Sequence, residues 1–381
     1  MKYEKLGDLC EIRIGRTPDR SKQEYWGIGY PWVSISDMKS KFVSETKEQI
    51  TDIAVNEKNC KIIKKGTLLL SFKLSIGKLA FAGTDLYSNE AIASLNLKSN
   101  QIFNEYLYYA LKFIPFVGSN IAAKGKTLNS TSLKNLKIPI PETYEDQVRI
   151  ANLLTQAENL IAKRKKSIEH LDELLKSTFL EMFGDPVRNE KGWDIVKIES
   201  LGTIQRGKSK HRPRNAPELL GGKYPLIQTG DVSNAGLYIT SFSQTYSEIG
   251  LAQSKMWKKG TLCITIAANI AKTAILSFDS CFPDSIVGFI ANEEVFAIYI
   301  HFLFGFFQKI LEQNAPQAAQ KNINLDTIRK LHIPKPSKKL IIQFAEIVEK
   351  VEKIKKKYED SLQELENLYG SLSQRAFKGE L

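Results

Sequence analysis

KKGTLLLSF (residues 64–72) and KKGTLCITI (residues 258–266) are one pattern met twice, 194 residues apart. A lysine pair and a glycine make the turn. The apolar, partly β-branched run that follows is short enough to be a strand buried on both faces. Outward from this pair the correspondence persists. Tyr30, Pro31 and an apolar run ending at Asp37 return at Tyr224, Pro225 and Asp231, again 194 residues on. NLKIPIP (residues 135–141) is answered by KLHIPKP (residues 330–336), 195 residues on. Solenoid repeats are usually ~20 to 50 residues long. The chain is therefore a two-unit duplication.

Within the first copy, short β-rich runs predict strands at 11–14, 32–36, 67–72 and 92–97, a helix over 104–113 and a return strand at 136–140. The second copy repeats this order. Each return strand leaves through a Pro-x-Pro step, which suits an extended exit. Each copy then runs into a long charged helix. In the first helix Leu154, Ile161, Ile168, Leu175 and Met182 recur every seven residues, beside Ile150, Ala157, Arg164, Leu171 and Thr178. In the second the series are Phe344, Val351, Tyr358, Leu365, Leu372 and Ile347, Ile354, Ser361, Leu368, Arg375. Such heptads predict a coiled coil. Helices of ~38 residues would reach about 55 Å and cannot stand without burying their stripes. The expected fold is thus two tandem α/β (α+β) globular modules, at 1–145 and 191–338, with helices at 146–190 and 339–381 packed as an antiparallel coiled coil. The alternative is that each helix folds back onto its own module.

Composition narrows the function. The 381 residues carry a net charge of +12. Taking Lys plus Arg minus Asp plus Glu gives 21 − 15 = +6 for 1–145, 7 − 8 = −1 for 146–190, 18 − 11 = +7 for 191–338 and 8 − 8 = 0 for 339–381. The excess lies in the modules. Uncompensated cations on a globular domain suit a polyanion such as nucleic acid, although a basic surface can also serve solubility alone. Cys10, Cys60, Cys263 and Cys281 are far apart, without the spacing of a disulfide framework or zinc site. No apolar run approaching the ~20 residues of a membrane span is evident, and the first ten residues lack a signal-peptide core. The expected location is the cytoplasm.

Motifs for catalysis are sparse. GTIQRGKS (residues 202–209) fits the phosphate-loop pattern. Pro213 and Pro217 follow where that motif needs a helix, and the first copy has no equivalent, so a nucleotide hydrolase is the lesser reading. The same stretch holds Arg206, Lys208, Lys210, Arg212 and Arg214 with no acid between Ser200 and Pro217, which reads as either a DNA contact or a solvated basic loop. His170, His211, His301 and His332 are scattered without metal-ligand spacing, and neither G-x-S-x-G nor a dinucleotide fingerprint occurs.

Taken in order, several segments resemble the specificity subunit of type I restriction-modification systems. These are GRTPDRSKQEYWGIGYPWVSISDM (residues 15–38), LKIPIPETYEDQVRIANLL (136–154), FLEMFGDPVRNEKGW (179–193) and SLSQRAFKGEL (371–381). The second copy departs from the pattern: its glycine-rich aromatic step is missing, and KPSKKLIIQF replaces the usual diproline and Glu-Gln. The resemblance implies a non-catalytic subunit whose two target-recognition domains each read one half of a bipartite, asymmetric double-stranded DNA site. It also implies helices that space the domains and dock two methyltransferase (modification) subunits, with a motor-nuclease (restriction) subunit able to join. S-adenosylmethionine, ATP and Mg would then belong to those partners, with no cofactor or metal in this chain. A coiled-coil adaptor without DNA binding is the other rival.

For DNA contacts the expectation falls on polar and basic loop residues. In the first module these are Arg16, Thr17, Arg20, Lys22, Tyr25, Trp26, Lys73, Lys78, Lys124, Lys126 and Asn129. In the second they are Arg206, Lys208, Lys210, Arg212, Arg214, Lys272, Gln317, Gln320, Lys321 and Asn322. Tyr25 and Trp26 fit core positions equally well. Asp37 and Asp231, present in both copies, suit a shared structural hydrogen bond.

Overall fold

A computed structural model describes residues 1–116, 120–122, 125–267, 269–313 and 323–381, with 120–122 and 125–127 as backbone alone. The chain divides into two compact units, Met1–Lys165 with Asp360–Leu381, and Lys166–Glu359.

In the first unit the expected strands form a five-stranded sheet in the order Cys10–Ile14, Ile92–Leu97, Leu68–Ser71, Leu79–Ala82, Phe42–Val43. A second sheet joins Glu48–Ile50, Trp26–Val33 and Tyr87–Ser88. The return strand Lys137–Ile140 pairs antiparallel with Lys2–Lys5. Leu68, Leu69 and Leu70 are buried, as a strand covered on both faces requires. The helix Asn104–Phe113 covers the sheet, and Tyr106 Oη donates to Pro139 O at 2.6 Å, pinning the return strand.

The second unit repeats the plan. Its five-stranded sheet runs Gly202–Arg206, Ile286–Ala291, Leu262–Thr265, Thr273–Leu276, Tyr238–Ile239, and its return strand His332–Lys335 pairs with Asp194–Lys197. Tyr299 Oη donates to Pro334 O at 2.8 Å, as Tyr106 does to Pro139. Even the irregularities recur. Trp26 and Tyr30 both face Ile50 across a bulge, and Leu220 and Tyr224 both face Tyr246 across another. The second copy lacks the aromatic step in sequence, yet Gly221, with φ of +80°, and Gly222 build the same excursion.

Two differences from the sequence expectation stand out. The strand placed at 32–36 spans Trp26–Val33 instead, since Ser34 and Asp37 turn the chain beyond it. The helix Glu294–Gln313 is, by length and composition, apolar enough to cross a membrane, contrary to the expectation that no such run exists. Its Phe296, Ile300, Leu303 and Phe304 lie in the core of the second unit.

The long helices are Tyr144–Phe183 and Lys338–Lys378. In the first unit Ile150, Ala151 and Leu154 pack with Leu107, Ala376 and Phe377. Leu372 lies against the same cluster, and Lys165 pairs with Glu366 at 2.8 Å. In the second unit Leu175, Phe179 and Phe183 pack with Tyr299, Phe344 and Val351, with Met182 alongside. There Lys355 pairs with Asp172 at 2.5 Å. Within each unit, numbers rise along one helix as they fall along its neighbour. Ile161, Ile168, Tyr358 and Leu365 are half-buried, whereas Ile354 and Leu368 of the companion series are exposed. The modules thus bury the helix ends more completely than the helices bury each other.

Candidate nucleic-acid interface

In the first unit the loop at 15–22 holds four of the expected residues, Arg16, Thr17, Arg20 and Lys22, and meets two more, Tyr25 and Trp26. Arg16 Nη1 donates to Lys58 O at 2.9 Å, and Thr17 Oγ1 donates to Glu90. Arg20 pairs with both carboxylate oxygens of Glu48 while its guanidinium lies 4.0 Å from the Trp26 ring centre. Trp26 meets Trp32 edge to face at 5.0 Å and donates through Nε1 to Asp19 O. Lys22 reaches Tyr25 Oη at 3.1 Å. Tyr25 is buried in a core with Trp32 and Ile50, its hydroxyl on Glu57, so its ring is a fixture of the fold. Lys58, which the sequence did not single out, lies 5.5 Å from the same ring.

The other expected residues of this unit lie elsewhere. Lys73 and Lys78 flank the hairpin between Leu68–Ser71 and Leu79–Ala82, where Lys78 Nζ donates to Ile35 O at 3.3 Å. Asn129 Oδ1 accepts Ser132 N at 2.7 Å and caps the helix Ser130–Lys134. Asn324 does the same for Thr327 N in the second unit. Lys124 and the side chain of Lys126 lie outside the described residues.

In the second unit the loop at 207–214 is braced from three sides. Gln253 Oε1 accepts Lys210 N and His211 N at 2.6 and 3.1 Å, Ser254 Oγ donates to Lys208 O at 2.8 Å, and Phe282 O accepts Lys208 N at 3.2 Å. The loop leads to the short turn Pro217–Leu219, not to a helix that could aim its N-terminus at a phosphate. That removes the structural basis of the phosphate-loop reading. The expectation of cations without acidic partners also needs correction. Asp284, distant in sequence, stands 3.3 Å from Arg212 Nη2 and 2.5 Å from Arg214 Nη2, and its carbonyl accepts Arg206 Nε at 2.6 Å. Lys208 and Lys210 remain exposed, and no acidic partner is found for either among the described residues.

Lys272 sits on the hairpin equivalent to that of Lys78; their backbone N–H groups bond Thr265 Oγ1 and Ser71 Oγ at 3.0 and 2.9 Å. Gln317, Gln320, Lys321 and Asn322 lie outside the described residues. Lys255, absent from the sequence reading, donates to Gln205 Oε1 at 2.6 Å and lies 4.0 Å from the Trp257 ring centre. Asp37 accepts Ser34 N at 2.8 Å and Asp231 accepts Gln228 N at 2.7 Å, the shared structural bond expected of them. No cluster of three or more His, Cys, Asp or Glu fit to hold a metal occurs among the described residues. All four cysteines are buried and free.

Both loops therefore offer cations held beside aromatic rings or backbone carbonyls at a module surface. Comparison with known proteins gives the family. The family model of the type I restriction modification DNA specificity domain matches residues 1–170 and 190–367. The MjaIX specificity subunit of Methanocaldococcus jannaschii is 28% identical over 66% of this chain and 62% of its own length, so the match spans less than two thirds of that relative. The putative MjaX specificity subunit of the same organism is 25% identical over 94% of this chain and 89% of its own. Among solved structures, the type I system S subunit from M. genitalium superimposes with a TM-score of 0.60 at 15% identity, covering 99% of this chain and 96% of its own.

Proposed function

Because the chain belongs to the type I restriction-modification DNA specificity family, we propose that it is the DNA sequence-specificity subunit of such a complex, each module reading one half of a bipartite double-stranded site. The observation that carries this is the family match to both halves of a chain whose two modules share one strand order while their loops differ. Equal scaffolds with unequal loops suit a target with unequal halves. Lys and Arg contacts to phosphate supply affinity, and loop side chains at base edges supply choice.

The long helices act as an antiparallel coiled-coil spacer and dock two modification subunits, with restriction subunits joining that assembly. The opposed pairing of Lys165 with Glu366 and of Asp172 with Lys355 supports this packing within each unit. The chain itself is non-catalytic and works in the cytoplasm. Methyl transfer from S-adenosylmethionine and ATP- and Mg-dependent cleavage fall to the partners.

Replacing residues 1–135 with another recognition domain is expected to change one half of the methylated sequence and leave the other intact, as read from the methylome of cells carrying the chain with its modification partner. Change in both halves, or in neither, excludes independent reading.

A further inference from the structure

Both modules build the same notch, and each places an acid in it. Gly15 and Gly207 follow the first strand of each five-stranded sheet and press against the turn opposite. A Cβ on Gly15 would stand 2.2 Å from Ser88 O, and one on Gly207 2.2 Å from Pro283 O. Backbone bonds close the notch: Arg16 N to Ser88 O at 2.8 Å in the first module, Gly207 N to Ile286 O at 2.8 Å in the second. The turn carries Glu90 in one module and Asp284 in the other, and 284 − 90 = 194, the shift of the duplication. Glu90 holds Thr17, while Asp284 holds Arg212 and Arg214 and, through its carbonyl, Arg206.

An acid in a basic loop lowers the charge available to phosphates, so its place here needs a geometric reason. The two arginines differ in what they have left to give. Arg212 Nη1 donates to Ser209 O and His211 O, both at 2.8 Å, which commits that guanidinium to the loop itself. For Arg214, Asp284 is the only polar partner found among the described residues, and the side chain is 46% exposed. The contact is an ion pair from Nη2 to Oδ1 rather than an aligned hydrogen bond, and Asp284 Oδ1 is buried with no hydrogen-bond partner among the described residues. A guanidinium drawn to one place by such an ion pair can meet a pair of acceptor atoms at less cost in side-chain ordering than a free one.

We propose, on the DNA-specificity reading above, that Asp284 is a positioning residue that holds Arg214 ready for a pair of acceptor atoms on the second half-site. Those acceptors are either guanine O6 and N7 or phosphate oxygens, which share this chemistry.

The test uses the complex assembled with its modification subunits and duplexes carrying its methylated sequence. Asp284→Asn preserves shape and removes one negative charge. If Arg214 reads a guanine, discrimination at one position of the second half-site falls about tenfold or more, with the first half-site unchanged. Where Arg214 holds phosphate, matched and mismatched duplexes weaken alike despite the added positive charge. Tighter binding with a steeper salt dependence and an unchanged methylated sequence means that the acid merely offsets charge, and overturns the proposal. In an Arg214→Gln background Asp284→Asn should add nothing, and additive losses would likewise overturn it. Should Asp284→Asn fail to fold, Arg214→Gln decides alone: unchanged affinity and site choice refute the role. A wild-type complex with no sequence preference sinks the underlying reading itself, and the proposal with it.

Discussion

The two units solve one packing problem with different chemistry. In the first, the central helix meets its module through a polar hub. Glu158 accepts from Tyr109 and Tyr369 hydroxyls at 2.9 Å each and pairs with Lys112 at 2.5 Å. In the second, that helix meets its module through aromatic rings: Phe179 is fully buried, with Phe183, Tyr299, Phe306 and Phe344 ring centres at 4.9, 5.7, 5.3 and 5.5 Å. A polar hub demands angles and a charge state, whereas an aromatic cluster demands volume. The central helix is thus held by different physics in the two units.

The volume-dependent joint should be the more costly to cut. Phe179→Ala is expected to lower the stability of the second unit by about 3–5 kcal/mol, read by denaturant unfolding. Glu158→Gln in the first unit should cost about 1–3 kcal/mol, because the amide retains an acceptor but loses the charge facing Lys112. Equal losses would erase the contrast between the joints.

Acid should sharpen it. Burial, with Lys355 adding to it against a hydrogen bond to Thr273, lowers the His301 imidazole from 6.5 to about 4. Lys272, Asp172 and Glu352 also border this place. Above pH 6.5 folded and unfolded chains both hold this histidine neutral. As pH falls from 6.5 towards about 4 the unfolded chain takes the proton first, so stability drops by up to about 3 kcal/mol. Glu158 behaves differently. Burial would raise its carboxyl, but Lys112, Tyr109 and Tyr369 bring it below the ordinary 4.5, so its contribution is intact above 4.5 and lost only as pH falls through the folded value. Glu352, raised by burial, returns some stability to the second unit as acid protonates it. The loss due to His301 is thus the difference in pH dependence between wild type and His301→Asn, and coincident curves would dismiss it.

The smallest expected effect concerns the loops. Unlike Arg212 and Arg214, Lys208 and Lys210 of this loop face no acid among the described residues. Their joint replacement by Gln should flatten the salt dependence of DNA binding by about one unit of slope for each phosphate no longer neutralised, whereas the Arg20 pair with Glu48 makes Arg20→Gln nearly silent in the first module. An unchanged slope after the double replacement would move the second module's phosphate contacts off this loop.

Much of the fold was legible because buried strands announce themselves: the runs at 64–72 and 258–266 had to be covered on both faces, and the fixed shift carried the rest. The strand expected at 32–36 spans Trp26–Val33, because the bulge absorbs Gly27, Gly29 and Pro31 without ending the pairing. The interface was less legible. A scan along 200–217 finds no acid, and only the folded sheet brings Asp284 to that loop. The signal existed in the repeat, since Glu90 and Asp284 share the same shift. Asn129 reads from sequence as a loop residue alone; the fold adds that its Oδ1 caps the helix Ser130–Lys134.

The paired bulges also set where these modules can change length. Pairing stops at Trp26, resumes at Tyr30 opposite the same Ile50, and continues in step through Pro31 and Trp32. Residues 27–29 leave the ladder between two rungs on Ile50; Ile28 at the tip is fully exposed, while Gly29 returns so close that a Cβ there would stand 2.3 Å from Ile50 O. Residues gained or removed there leave every later rung, and the face each side chain shows, where it was. The same excursion recurs at 221–223, where Gly222 lies nearly as close to Tyr246 O. Each module thus carries an expansion joint: surface text can be edited at that point while the sheet beneath keeps its register.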